Sequence, residues 1–278
     1  MPSLRAICAT RSYTENRMTK PLLRLFVVLG ALVFIGVLSG AVHAASSAPK
    51  VVAFYAVDVE PDHARFAQDA LQFFAAHARQ DGYDFVSTTN WDDSNDAYLA
   101  NCRVVLWLND EPHTPAQEQA FERYMTRGGG WLGFHVAGYT EKKTAWPWYQ
   151  SFLGGIFDGN SWPPIPADLQ VEDRHHPVTR DLPSHFEAPV NEWYSWDPNP
   201  ATNKDVKVLL SLAPSNFPLG IKDVLTGGHI PVVWTNTKYR MLYINMGHGD
   251  KILSSPIQNR LIENGLLWLL DKGGGEGR

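Results

Sequence analysis

The sequence predicts an α/β fold: a mostly parallel sheet flanked by helices. Three observations predict it. Short apolar runs alternate with amphipathic segments through the first half, the connections between them are short, and a helix with one apolar face closes the chain. With 278 residues, 44% hydrophobic and 19% charged, the composition supports one large core and excludes the disordered and fibrous classes.

The elements follow in order. Val51–Tyr55 is an apolar run bounded by polar residues, the mark of a buried strand. Asp62–Gln80 carries Phe66, Ala70, Phe73, Phe74 and His77 at helical spacing and is closed by Asp81-Gly82, glycine suiting the left-handed residue that ends a helix. Tyr83–Thr88 and Arg103–Leu108 read as the second and third strands. Thr114-Pro115-Ala116-Gln117 has the form of a capping box with proline in the first helical position, and its helix runs to Thr126. Gly128-Gly129-Gly130 stops that helix and Trp131–His135 is the fourth strand. From Trp146 to Asn191 the pattern is irregular, with one strand at Leu169–Glu172. Strands return at Val206–Leu212, Pro231–Trp234 and Tyr239–Asn245, and the last helix spans Pro256–Leu270. This reads as a single domain over residues 45–272, with 140–200 decorating its top and a glycine-rich tail over 273–278.

Residues 1–44 differ in kind. Arg5, Arg11, Arg17, Lys20 and Arg24 precede an uncharged run from Leu25 to Val42, followed by the small-residue exit Val42-His43-Ala44-Ala45. That is the order of a secretory signal cut after Ala44, so the chain is expected to be exported to the periplasm or medium; the alternative is an uncleaved membrane anchor. Removing it takes the net charge from −5 to −9, because five basic residues and Glu15 leave together. A mature protein this acidic has no electrostatic footprint for nucleic acid, and it meets a membrane only through its export signal. Cys8 leaves with the signal. Cys102 remains alone at the start of a strand, where it reads as a buried thiol; no disulfide or zinc-ribbon spacing is possible.

In open parallel sheets, ligands sit beyond the carboxyl ends of the strands. Asp58 and Glu60 follow the first strand, Asn109, Asp110, Glu111 and His113 the third, His135 the fourth, and His248 and Asp250 the strand ending near Asn245. Gly133-Phe134-His135-Val136-Ala137 resembles a nucleophile elbow with histidine in place of Ser or Cys; the imidazole can be base, ligand or satisfied core group. His248 stands between Gly247 and Gly249, which permit close backbone approach and also make ordinary turns. Glu192, beside Trp193, Tyr194 and Trp196, is either a buried carboxyl with raised pKa or a solvated loop acid. His113 can equally be the residue before a helix cap. His175-His176 reads as a turn, and His63, His77, His185 and His229 as structural or surface residues.

The run Gly128-Gly129-Gly130-Trp131-Leu132-Gly133-Phe134-His135, the segment Trp148–Gly155, His176-Pro177-Val178-Thr179, Glu192-Trp193-Tyr194 and Gly247-His248-Gly249 occur in an order that resembles the ThuA-like (trehalose utilisation) family. The resemblance covers Val51 to Leu270. It implies the three-layer (flavodoxin-like) fold of class I glutamine amidotransferases, with His135 at the catalytic cysteine's position, and an association with trehalose and oxidised (keto) sugars. Some relatives carry histidine where this chain has Asp110.

Two classes of function follow. As an enzyme, His135, Glu192 and His248 would be catalytic and, with His113, would hold a divalent metal such as zinc; three imidazoles and a carboxylate suit such an ion. Isomerisation or hydrolysis of a keto-sugar or glycoside is the expected chemistry, and without metal the same groups form an acid–base set. As a non-catalytic module, the chain would bind a small sugar through the aromatic crowd Trp146, Trp148, Trp162, Trp193 and Trp196. Amidotransferase chemistry is excluded, because Cys102 precedes the wrong strand.

Overall fold

In the computed structural model, residues 48–271 are described and belong to one compact unit. The expected signal, residues 1–44, and the tail, 273–278, lie outside them. Along the chain come β1 (Lys50–Phe54), α1 (Pro61–Asp81), β2 (Asp84–Thr88), α2 (Asp96–Leu99), β3 (Val104–Trp107), α3 (Pro115–Thr126) and β4 (Gly130–Phe134). The second half contains α4 (Pro147–Leu153), β5 (Phe157–Asn160), β6 (Ile165–Val171), β7 (His185–Asn191), β8 (Tyr194–Trp196), β9 (Val206–Leu212), β10 (Pro231–Asn236), β11 (Arg240–Ile244) and α5 (Pro256–Leu269).

Local chemistry sets the ends of the helices that frame the site. The Glu60 carboxylate accepts hydrogen bonds from the Asp62 and His63 amides and so caps α1, with Pro61 in the first turn. Gly82, at φ 67°, ends the same helix in the left-handed region. At α3 the reciprocal capping box of Thr114 and Gln117 is formed in full.

Among the described residues nine strands make one sheet in the order β2-β1-β3-β4-β11-β10-β9-β6-β7, while β5 and β8 form a separate pair. The first five strands of that order are parallel, and β10, β9, β6 and β7 extend the sheet with antiparallel pairings. The sheet is therefore mixed, parallel in the half that carries the site. The segment 140–200 does more than decorate the top: β6 and β7 form the sheet's far edge. Pro166 and Pro189, standing within these strands, hid this from the periodicity.

Alternation along β4 builds the three layers. Trp131 points to one face, where it meets Phe121 of α3 and Phe152 of α4. Phe134 points to the other, against Phe66 and Phe74 of α1. On that second face α5 approaches β11 so closely that a Cβ on Gly265 would stand 2.5 Å from Leu242 Cδ2. Truncating the fully buried Trp131 to alanine would cost roughly 3–5 kcal/mol. Among the described residues no helix is long and apolar enough to cross a membrane.

Candidate functional site

The parallel strands β4 and β11 lie side by side, with Phe134 opposite Ile244, so the turns that follow them emerge at the same edge. His135 begins the turn after β4. Its φ is +35°, the left-handed region that a bulky side chain avoids, which is the strained strand-to-turn geometry of an elbow. The residue is fully buried. Its Nδ1 lies 2.8 Å from the Asn245 carbonyl and its Nε2 lies 3.3 Å from Glu192 Oε2.

That geometry fixes a tautomer. A carbonyl oxygen only accepts, so Nδ1 carries the proton and Nε2 presents a lone pair. Burial pushes the His135 pKa down to about 3, with the neighbouring His63 adding to the effect, so the ring is neutral. Its lone pair therefore faces a carboxylate oxygen. Two acceptors at 3.3 Å need something between them: one proton or one cation. Burial also raises the Glu192 pKa, in keeping with a carboxyl that holds a proton easily. The other Glu192 oxygen accepts from Asn160 Nδ2 at 2.6 Å, which fixes the carboxyl plane.

Glu192 stands between β7 and β8, and a neighbouring amide delivers it. The buried Asn191 side chain accepts from the amides of Gly247 and His248 and donates to the Glu192 carbonyl, tying the loop after β7 to the turn after β11. In that turn His248 is buried, its ring centroid 5.4 Å from that of His135. His248 Nε2 lies 3.7 Å from Glu60 Oε2 and Nδ1 lies 3.9 Å from Asp62 Oδ2. Burial, then the His135 ring, lowers its pKa.

The fourth member is His63, in the first turn of α1. Its ring centroid lies 5.2 Å from that of His135 and 5.0 Å from that of His248, completing a triangle of imidazoles. Burial, then His248, lowers its pKa. Ring nitrogens His63 Nε2 and His248 Nδ1 are both buried and have no hydrogen-bond partner. Two donor groups result, each with its ligand atoms within 4.8 Å of one another: His63, His135 and Glu192; and Glu60, His63 and His248. Beside them opens a cavity of about 430 Å³ lined by His63, Asn109, Asp110, Asn160 and Glu192, with Tyr139, Phe157 and Tyr194 as an aromatic wall.

A family model for ThuA, described as trehalose utilisation, matches residues 50–269. The chain belongs to the ThuA family. Among solved structures, a ThuA-like protein from Bacteroides uniformis is 46% identical, over 82% of this chain and 94% of its own, with a TM-score of 0.79. A second ThuA-like protein, from Parabacteroides merdae, is 13% identical over 83% of this chain and 92% of its own, TM-score 0.58. A cold-adapted β-galactosidase from Rahnella sp. R3 is 9% identical over 80% of this chain and 31% of its own, TM-score 0.51. These last two share the fold alone. No curated protein matches the chain.

In this ThuA family member the expected site residues divide. His135, Glu192 and His248 converge. His113 belongs to neither donor group: it is exposed, bonds Asp110 Oδ2 at 2.9 Å and rests its ring on Trp91. It stands behind Asp110, the residue that does face the cavity. Of the four expected ligands, His135 with Glu192 and His248 fall in different donor groups, which share His63. From sequence His63 reads as a structural or surface residue, because it is one polar position of an amphipathic helix. The available signal was its place three residues after Glu60, in a helix that begins beyond the first strand's carboxyl end.

The aromatic crowd also sorts itself. Trp146, Trp193 and Trp196 are core residues and no tryptophan lines the cavity. Cys102 is buried before β3, hydrogen-bonded to the Tyr98 carbonyl, and burial pushes its thiol up to about 11. A thiol so placed is not ionised at neutral pH.

Proposed function

We propose that the chain is an exported enzyme that isomerises or hydrolyses an oxidised (keto) sugar or glycoside by proton transfer, with His135, Glu192 and His248, joined by His63, as the working groups. The observation that carries this reading is the pair His135 Nε2 and Glu192 Oε2, two lone-pair atoms 3.3 Å apart with the tautomer fixed from behind. Such a pair holds and gives up a single proton at a defined point beside the cavity. A second carrier, His248 with Glu60, lies one imidazole away.

A ketone next to a carbinol carbon needs that arrangement. One group removes the proton from the carbon bearing the hydroxyl, and another supplies a proton to the carbonyl oxygen. The substrate class is supported by the family's trehalose description and by the cavity's make-up, an aromatic wall facing amide and carboxylate groups. Tyr139, about half exposed, gives a sugar ring an apolar face to lie on.

The test is solvent exchange. Purified protein incubated with keto-disaccharides in D₂O should place deuterium on the carbon beside the carbonyl, followed by NMR, or release the free sugars. Glu192→Gln should stop both. If no ketose gains deuterium or is cleaved, the enzyme reading fails.

A further inference from the structure

We infer that His63, Nε2 of His135 and Oε2 of Glu192 form a three-donor site for one divalent ion of the zinc type, its remaining position open to the cavity. This deepens the reading above and rests on it for the substrate alone; the ion is tested without any sugar.

Four observations support the site. Ligands of one tetrahedral zinc at about 2.0–2.1 Å from the metal lie about 3.4 Å from each other. His135 Nε2 and Glu192 Oε2 already stand 3.3 Å apart. The whole group lies within 4.8 Å, so only a small movement of His63 is needed. Each of the first two ligands is also held from behind, His135 by the Asn245 carbonyl and Glu192 by Asn160, which is how metal ligands are oriented and kept deprotonated. Finally, His63 Nε2 is buried with no hydrogen-bond partner, a cost of roughly 1–3 kcal/mol that a ligand bond removes.

The competing group, Glu60, His63 and His248, is the poorer one. Glu60 Oε2 is already committed to two backbone amides as the cap of α1, and its side chain is half exposed. A neutral imidazole has a single lone pair, so His63 serves one ion and not two. With the ion bound, Glu192 is a carboxylate ligand and proton transfer falls to His248 and Glu60. A bound divalent ion supplies polarisation of a carbonyl or hydroxyl oxygen.

The experiment uses the mature chain stripped with a chelator and titrated with Co²⁺, read by the visible d–d bands and by metal analysis. One ion per chain is expected. His63→Ala and Glu192→Gln should each weaken binding by roughly 100-fold or more, whereas His113→Ala and Glu60→Gln should leave it within a few-fold. Circular dichroism melts check that each variant is folded, and His135→Asn, a residue that tolerates left-handed backbone, repeats the test at the third ligand. Absence of a stoichiometric ion overturns the site. So does loss of binding in Glu60→Gln with retention in Glu192→Gln, which would put the ion on the other group. If no ion binds but Glu192→Gln still stops deuterium exchange, the ion is wrong and proton transfer stands. If the ion binds as expected and no ketose reacts, the metal centre stands and the substrate is wrong.

Discussion

Gly247 is packed against His135 so closely that a Cβ on the glycine would stand 2.7 Å from the Cβ of the histidine. The absent side chain is what lets the turn after β11 lie on the turn after β4, and so what places His248 near His135. Gly247→Ala should therefore displace His135 while leaving the fold in place. The expected cost is about 1–3 kcal/mol in urea melts, with a marked fall in turnover. Wild-type values for both would mean that His135 has room to move and that its position is not set by this contact.

Asn191 is expected to matter without touching a ligand. Asn191→Ala removes the acceptor of two buried amides, Gly247 and His248, and should lower stability by roughly 2–4 kcal/mol. In whatever fraction remains folded, kcat should fall more than KM rises. A stability change under 0.5 kcal/mol, roughly the size of an ordinary surface substitution, would sink the view that this amide joins the two loops.

Cys102 lies away from the site and its thiol is protonated. Cys102→Ala should keep full turnover and lose about 1 kcal/mol or less, and alkylating reagents should not inactivate the native protein. Inactivation of the folded wild type by iodoacetamide, prevented in Cys102→Ala, would reopen thiol chemistry.

Glu111 should contribute a loss of stability as pH rises from 4.5 to about 7. Burial, then the charges of Asp110 and Glu118, raise its pKa from 4.5 to about 7. The folded state thus binds the proton more tightly than the unfolded chain. Its contribution is whole below pH 4.5 and is lost as pH climbs through 7. Glu111→Gln should flatten the stability profile between pH 5 and 8 by on the order of 1–2 kcal/mol, allowing for partial exposure. Parallel profiles for wild type and variant would refute the assignment.

The proposed export makes a direct prediction about the mature N-terminus. Material recovered from the periplasm or medium should begin near Ala45 on N-terminal sequencing. Recovery of an intact 25–42 segment in the membrane fraction would instead mean an anchor.

The parallel half of the fold was legible because its strands are continuous apolar runs and its helices carry explicit caps, Thr114 with Gln117 and Gly82 among them. The carboxyl-end rule then brought His135 and His248 to one edge from sequence position alone. It also drew in His113, which follows the right strand but turns toward Asp110 and solvent. What could not be read was the support. Asn160 and Asn191 are side-chain amides at strand ends and Asn245 acts through its backbone carbonyl, and nothing in their local sequence distinguishes a buried clamp from a solvated turn. His63 needed one further step, extending the rule from the end of β1 into the first turn of α1.

Among the described residues β11 alone joins the parallel strands to the antiparallel ones: β4 pairs with it on one side and β10 on the other. Strands β6, β7, β9 and β10 are all synthesised earlier, yet their ladder cannot join that of the parallel half until Arg240–Ile244 has been made. The Asn245 carbonyl that orients His135 and the amides that hold Asn191 come immediately afterwards. The centre is accordingly built late, with only α5 still to follow, near the end of a high-contact-order assembly. Until then a growing chain displays the unpaired edge of β4, the surface on which a holding chaperone or an aggregating neighbour would act.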